Sequence, residues 1–425
     1  MTIDRSFPPQ IKDFGDLKIP SPRYITLDNG VPLIVVDNGS QEINRLSIIW
    51  TGGLCETSHA TIANLALNLL REGTNKHNGA HIAEKLEYNG AWLKSQMHSH
   101  HSSLVSYSLN DKVSDIYPIL VEIMSSPIYP TREFEVLREK LIRTATLDRE
   151  KVEFYSAMEM RRLIMGESHP LAKSDSPEEI ASLTVDDLFR FKHKILTRPH
   201  ALYLTGRITP SLEDIVNDNF ATIKSDVPTC EMRVDDFKPS STKLVKIKRD
   251  GAMQSAIRMS IPTINRRHDD YVPLRLAVMA LGGYFGSRLM TNIREEKGYT
   301  YGISASLLGY REGGIISIGT QCDNRYVEPL IEEVIKEIER MKTGDFDYDE
   351  MQRLKNYAMT QLISVLDSPF SIMDYYENIC LSDTPVDYFY QQLHEIKMLS
   401  AEKLASIATK YFNIENLYTT ISGDM

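Results

Sequence analysis

The sequence predicts an α+β fold made of two homologous domains. Strand-like and helix-like segments mix along the 425 residues, without the strict strand–helix–strand order of a doubly wound parallel sheet. Segments of the first half also recur in the second half at a nearly constant distance, which indicates an internal repeat. The matched pairs are Gly206 with Gly423 at 217 residues, Leu183 with Leu399 at 216, and Arg138 with Arg353 at 215. Each domain is therefore expected to span about 200 residues.

The first half opens with a predicted β-hairpin whose turn is the Asn29-Gly30 pair, a frequent hairpin dipeptide. The strands and helices that follow appear in the same order in the second half. We expect helices over residues 60–72, 81–89, 112–125 and 130–151, another from Thr184, and a closing strand over 200–208. The predicted domains are 1–228 and 243–425, joined by a polar, proline-containing linker at 229–242.

Composition narrows the classes of function. The net charge of -10 and the pI near 5.6 argue against nucleic acid as the main partner, because nucleic-acid-binding proteins usually present a basic face. No apolar run is long enough to cross a membrane, so no membrane helix is expected. The first residues contain no apolar secretory segment, and the four cysteines lack metal-like spacing. We therefore expect a cytoplasmic protein with reduced thiols.

One segment of the second half resembles a known family. Residues 281–323, LGGYFGSRLMTNIREEKGYTYGISASLLGYREGGIISIGTQCD, are similar to the segment after the linker in pitrilysin/insulinase-type zinc peptidases and in processing-peptidase subunits. In the first half, REGT at 71–74 and HPLA at 169–172 stand in family order. The resemblance covers nearly the whole chain. It implies two lobes of the LuxS/processing-peptidase-like metallopeptidase fold, each an antiparallel or mixed sheet flanked by helices. It also implies that two such units close around a chamber that admits peptides.

The zinc motif of that family is degenerate in this chain. Peptidases of this type place H-x-x-E-H on one helical face, so that two imidazoles bind the ion and the glutamate activates water. Aligned on REGT, the two histidine positions are Asn64 and Asn68, and the glutamate position is Leu67. The more distant glutamate ligand falls near Ala145. Amides are poor zinc ligands and an alkyl side chain takes no proton, so we expect no catalytic zinc in this chain.

Two other groups of histidines leave a metal site open as an alternative. The groups are His77 with His81 and Glu84, and His98 with His100 and His101. The first group is explained more simply as the solvated start of a helix. On a strand, His98 and His100 would share a face and chelate a metal. The simpler interpretation of the second group is a polar sheet face that lines the chamber.

The resemblance also assigns a catalytic pair to the second half. In the family, an Arg and a Tyr seven residues apart reach the zinc site of the opposite half, and Arg294 and Tyr301 stand at those positions. A guanidinium donates to a substrate carbonyl, and a phenol stabilises the oxyanion of the reaction. The alternative is a surface arginine and a core tyrosine. Gly282 and Gly283 resemble the small-residue loop of the family, where we expect a tight turn near the bound peptide, with helix termination as the alternative.

The leading hypothesis is a non-catalytic subunit of a heteromeric zinc endopeptidase. It pairs with a sibling chain carrying H-x-x-E-H and donates Arg294 and Tyr301 to the zinc site of that partner. Zinc is then expected in the partner only, peptides are the substrate, and the chain alone should hydrolyse nothing; a homodimer is a further possibility. The first alternative is a peptide-binding or structural scaffold subunit with no role in catalysis. The second is an enzyme with a relocated metal site at His98 and His100.

Overall fold

Two sheets flanked by helices form the framework of the protein, which confirms the predicted α+β fold. The computed structural model describes residues 15–197, 199–223, 230–232 and 235–424. Residues 1–14, 198 and 224–228 of the predicted first domain, residues 229, 233 and 234 of the predicted linker, and residue 425 of the predicted second domain lie outside these ranges. Among the described residues, no helix is both long enough and apolar enough to span a membrane.

The first sheet has six strands. They are β1 (Arg23–Thr26), β2 (Pro32–Asp37), β3 (Ile43–Thr51), β4 (Trp92–Met97), β5 (His101–Leu109) and β6 (Ala201–Gly206). Their order is β1-β2-β6-β3-β5-β4; β2 and β6 are parallel, and the other neighbours are antiparallel. Gly30 has a φ of 77° in the turn between β1 and β2, which confirms the predicted hairpin. Every residue of β6 is buried, as its run of mostly apolar residues requires.

The second sheet has five strands. They are β7 (Leu244–Lys248), β8 (Gln254–Thr263), β9 (Thr300–Gly309), β10 (Gly314–Asp323) and β11 (Tyr418–Gly423). Their order is β7-β11-β8-β10-β9, with β7 and β11 parallel and the others antiparallel. This order matches β2-β6-β3-β5-β4 of the first sheet strand for strand, as the sequence repeat predicts. We call the first sheet, with its loops and the helices packed on it, the first lobe. The second sheet, with its own loops and helices, is the second lobe.

Helices cover both sheets. In the first half they are α1 (Ala60–Asn68), α2 (Gly79–Tyr88), α3 (Val113–Ser125), α4 (Thr131–Asp148), α5 (Val152–Met165), α6 (Pro177–Ser182), α7 (Val185–Lys194) and α8 (Pro210–Phe220). In the second half they are α9 (Tyr271–Val278), α10 (Val327–Lys342), α11 (Tyr348–Ile363), α12 (Pro369–Leu381), α13 (Tyr388–Lys397) and α14 (Ala401–Tyr411). α1 is shorter than predicted, because Leu69–Glu72 tightens into a 3-10 turn before Gly73. Two π-helical segments, Met279–Gly283 and Met290–Glu296, precede β9.

The two halves of the chain exchange one helix each. α5 from the first half packs on β8 and β11 of the second sheet, and α12 from the second half packs on β2 and β6 of the first sheet. The Thr205 hydroxyl donates to the Pro369 carbonyl at 3.1 Å. In the other lobe, the Thr420 hydroxyl donates to the Ser156 carbonyl at 2.8 Å. The predicted domain boundaries therefore separate the strands of the two sheets but not the helices that cover them.

Candidate functional site

The degenerate zinc motif lies on α1. The side-chain amide of Asn68 donates to the Asn64 carbonyl at 2.8 Å and to the Asn64 Oδ1 at 3.2 Å. Leu67 is 2% exposed and belongs to the core of the first lobe. Ala145 lies on α4, which contacts α1. The two amides thus bond to each other one helical turn apart, and none of the four positions offers an imidazole or a carboxylate to a metal.

His77 and His81 lie at the start of α2, as predicted. His77 precedes the first residue of the helix, and its Nδ1 lies 2.9 Å from Glu122 Oε1 on α3. The His77 and His81 rings stack with their centroids 4.6 Å apart. In the part of the chain that the structure describes, neither histidine belongs to a group of metal-ligating side chains.

His98 and His100 lie in the turn between β4 and β5, so the prediction that they share one face of a strand is wrong. The chain reverses direction here, and the two-residue periodicity of a strand does not apply. The His98 ring stacks on the His101 ring at 4.2 Å. His100 is 5% exposed and lies between the lobes instead.

His100 joins the two lobes. Its Nδ1 lies 3.0 Å from Glu56 Oε1 of the first lobe, and its Nε2 lies 2.7 Å from Glu312 Oε1, in the turn between β9 and β10. Burial alone would lower the pKa of His100. Hydrogen bonds with the Cys55 thiol and with both carboxylates outweigh burial and raise the pKa to about 11. His100 is therefore an imidazolium at neutral pH, held by one carboxylate from each lobe.

Two groups of side chains have their ligand atoms close enough together to hold a metal ion. Within the described ranges these are Cys55 with His100 and Glu312, and His59 with Asp175 and Glu179, each group within 4.8 Å. In the first group, both imidazole nitrogens already face carboxylates. In the second, His59 Nδ1 lies 3.0 Å from Asp175 Oδ1, and Asp175 Oδ2 accepts from the Thr61 backbone N–H in α1. Neither group includes a position of the degenerate zinc motif.

Arg294 and Tyr301 lie side by side on the second lobe. The Arg294 Nε donates to the Tyr301 carbonyl at 2.9 Å. The Arg294 guanidinium lies 4.7 Å from the centre of the Phe285 ring and 5.9 Å from that of Tyr301. Tyr301 is 95% exposed, so it is not the core aromatic of the alternative interpretation. Tyr299, two residues earlier, stacks on a neighbouring tyrosine.

Gly282 and Gly283 end the first π-helical segment, next to β9. A Cβ at Gly282 would lie 2.6 Å from the backbone nitrogen of Ala305 in β9, which is closer than real Cβ atoms come. A Cβ at Gly283 would lie 3.2 Å from the Met279 side chain. The glycines therefore allow a helix to end against the strand that carries Tyr301. Their role in binding peptide stays a prediction.

A cavity of about 490 Å³ adjoins Tyr301. Its walls carry residues of α5 and of β8, β9 and β10, including Arg258, Ser304 and Thr320. The sequence does not indicate this cavity by any local pattern, because a single arginine in a strand has no recognisable spacing to other polar residues. The internal repeat is the one sequence feature that points to Arg258, because it makes Arg258 the counterpart of Arg45 in the first sheet.

Comparison with known proteins agrees with the family resemblance. Residues 182–357 match the family model described as Peptidase M16 inactive domain. The chain is a homologue of the M16 peptidases. The non-peptidase homolog YmxG of Helicobacter pylori is 20% identical over 402 residues, which cover 91% of this chain and 90% of that protein. The probable inactive metalloprotease YmfF of Bacillus subtilis is 17% identical over 312 residues, covering 69% of this chain and 71% of that protein.

A solved structure shares the fold of this chain. A peptidase M16 inactive domain from Pseudomonas fluorescens has a TM-score of 0.86 at 19% identity, over 95% of this chain and 98% of that chain. At that identity the likeness shows the fold alone. Together with the asparagines on α1, the family match makes this chain an inactive M16 homologue, without the catalytic zinc of the H-x-x-E-H peptidases.

Proposed function

We propose that this M16 homologue is the non-catalytic subunit of a heteromeric zinc endopeptidase. It donates Arg294 and Tyr301 to the zinc site of a partner chain that carries H-x-x-E-H. The exposure of Tyr301 carries the proposal: a phenol that is 95% exposed is held beside a guanidinium at the spacing of the family pair. Tyrosine and arginine are enriched among the residues that contribute most to binding at protein interfaces.

Each side chain of the pair has a defined task in peptide hydrolysis. The Tyr301 phenol donates to the oxyanion that forms when a zinc-bound hydroxide attacks the peptide carbonyl. The Arg294 guanidinium donates to a substrate carbonyl or carboxylate. The bond from its Nε to the Tyr301 carbonyl fixes the guanidinium beside the phenol. Its Nη1 makes a long ion pair with Glu295, at 3.7 Å, which a substrate oxygen readily replaces.

The catalytic zinc belongs to the partner in this proposal. A homodimer would join two copies of the same degenerate motif, and neither copy would supply the two histidines and two glutamates of an active site. Gly282 and Gly283 support the binding surface, because they let the helix before Arg294 end close to β9. The four cysteines are unpaired, which fits a reducing compartment, and we propose the cytoplasm.

Peptide hydrolysis by reconstituted chains tests the proposal. The assay compares this chain alone, a sibling H-x-x-E-H chain alone, and the two together. We expect hydrolysis that a chelator abolishes only with the two together, because each chain holds part of one site. Chelator-sensitive hydrolysis by this chain alone would contradict the proposal. Full activity of the sibling chain alone, unchanged on adding this chain, would favour the scaffold alternative.

A further inference from the structure

The matching register of the two sheets allows their residues to be compared. Arg45 in β3 pairs with Thr205 in β6, and Arg258 in β8 pairs with Thr420 in β11. Both threonines donate to the exchanged helix that covers their sheet. Cross-strand partners point to the same face of a sheet. Arg45 and Arg258 are therefore corresponding residues, each facing an exchanged helix.

The corresponding residue of the exchanged helix differs between the lobes. In the first lobe, Arg45 forms an ion pair with Asp374, which lies five residues after the anchored Pro369. In the second lobe, the residue five positions after the anchored Ser156 is Arg161. The second lobe thus has a guanidinium where the first lobe has a carboxylate.

Arg161 and Arg258 bring two positive charges to the second lobe. Among the residues that the structure describes, neither side chain has an ion-pair or hydrogen-bond partner. Burial is the main cause that lowers the pKa of Arg161; the nearby Tyr310 acts in the opposite direction, and the charge of Arg258 adds to the lowering. The Nε of Arg161 and the hydroxyl of Ser260 are both buried without a partner. Like charges at a partly buried position repel each other, and a bound anion relieves that repulsion.

Arg258 lines the cavity that also contains Tyr301. The strand side of the cavity carries small residues such as Ser304 and Gly319, so an extended peptide can approach the sheet closely. The Arg258 Nη1 would lie 3.1 Å from a Cβ at Gly319, so the guanidinium reaches across β10. The carboxylate of Glu153, which also lines the cavity, accepts from a glutamine side chain instead of pairing with Arg258.

We propose that this cavity binds a carboxylate of a peptide, held by Arg258 and by the second positive charge of Arg161. A guanidinium presents paired N–H donors that match the two oxygens of a carboxylate. That the ligand is a peptide rests on the proposed function. Because Tyr301 belongs to the same cavity, the bound carboxylate lies close to the peptide bond that the partner attacks. The carboxylate is either an acidic side chain or the C-terminus of the peptide.

Peptide binding to the full chain alone tests the inference, without a partner or zinc. Three pentapeptides with an uncharged N-terminal dye serve as probes: amidated Ala-Ala-Glu-Ala-Ala, amidated Ala-Ala-Gln-Ala-Ala, and penta-alanine with a free C-terminal carboxylate. At least one carboxylate probe should bind about tenfold more tightly than the glutamine probe, as expected for one charge-assisted pair. The probe that binds tightly identifies the source of the carboxylate. Equal binding of all three probes would overturn the inference.

Arg161→Asp is the most informative variant, because it reproduces the arginine–aspartate pair of the first lobe and so neutralises Arg258. Arg258→Gln removes the other cation without adding an acid. Both variants should lose the preference for a carboxylate, whereas Arg143→Gln, an exposed position on α4, should keep it. A preference that survives in the first two variants would overturn the inference. Because the partner is absent, failure here leaves the proposed function standing, and failure of hydrolysis with the sibling chain leaves this binding result standing.

Discussion

The buried positive charge of His100, between the lobes, is balanced by carboxylates of neighbouring residues. His100 is 5% exposed and faces Glu56 of the first lobe and Glu312 of the second. Removing one member of a buried ion pair is strongly destabilising, because the remaining charge has no partner. His100 therefore holds the two lobes together, and its protonation contributes to the stability of the whole chain.

This arrangement predicts a loss of stability at alkaline pH. The folded-state pKa of His100, about 11, exceeds the ordinary value of 6.5, so the folded protein keeps a proton that the unfolded chain releases. The contribution is complete below pH 6.5 and disappears as the pH rises through about 11. Between about pH 7.5 and 9.5, the free energy of unfolding should fall about 1.4 kcal/mol per pH unit more steeply in the wild type than in His100→Gln.

Urea unfolding at several pH values measures that difference. His193→Gln, at an exposed position, is the matched control and should keep the slope of the wild type. Parallel slopes for the wild type and His100→Gln would show that His100 is not charged in the folded protein.

The residues of the candidate site differ in how far the sequence predicted them. Arg294 and Tyr301 were predicted together, because they lie seven residues apart within one segment of family pattern. The asparagines on α1 were found in the same way, by position relative to REGT. Local patterns do not predict Arg161 and Arg258, because the helix exchange brings them near each other from distant parts of the chain.

Among the elements, the exchange of α5 and α12 is the feature that the sequence did not predict. Hydrophobic periodicity indicates that a segment is a helix with one buried face, but it does not tell which sheet covers that face. Arg45 shows the consequence, since it is 2% exposed in β3 and forms ion pairs with Asp374 and Glu377 of α12. The contact that attaches the second half to the first sheet is thus electrostatic as well as apolar.

Arg45→Met tests this attachment. Burial raises the pKa of the Glu377 carboxyl to about 6 even with Arg45 beside it, so the variant either leaves a buried carboxylate without its partner or forces that carboxylate to take up a proton. We expect the free energy of unfolding in urea at about pH 8 to fall by roughly 3–5 kcal/mol. The control is Arg207→Gln, whose ion pair with Glu42 is more than half exposed at both ends and should contribute less than about 1 kcal/mol. Equal small losses in the two variants would contradict the anchoring role of Arg45.

The whole molecule combines a fold that its sequence predicts with residues that we propose to be one half of an active site. The internal repeat predicted two lobes, and the equal strand order of the two sheets agrees with it. The first lobe has Asn64, Leu67 and Asn68 where a zinc peptidase needs ligands and a base. The second lobe presents Arg294 and Tyr301 to solvent.

The turnover number of the reconstituted pair of chains tests the central claim most directly. Tyr301→Phe removes one hydroxyl and keeps the ring, and Tyr348→Phe makes the same change at another exposed tyrosine. If Tyr301 stabilises the oxyanion at the partner's zinc, kcat should fall about 10²–10³-fold in Tyr301→Phe and stay unchanged in Tyr348→Phe, with the complex intact in both. An unchanged kcat in Tyr301→Phe would contradict the claim and make the chain a scaffold.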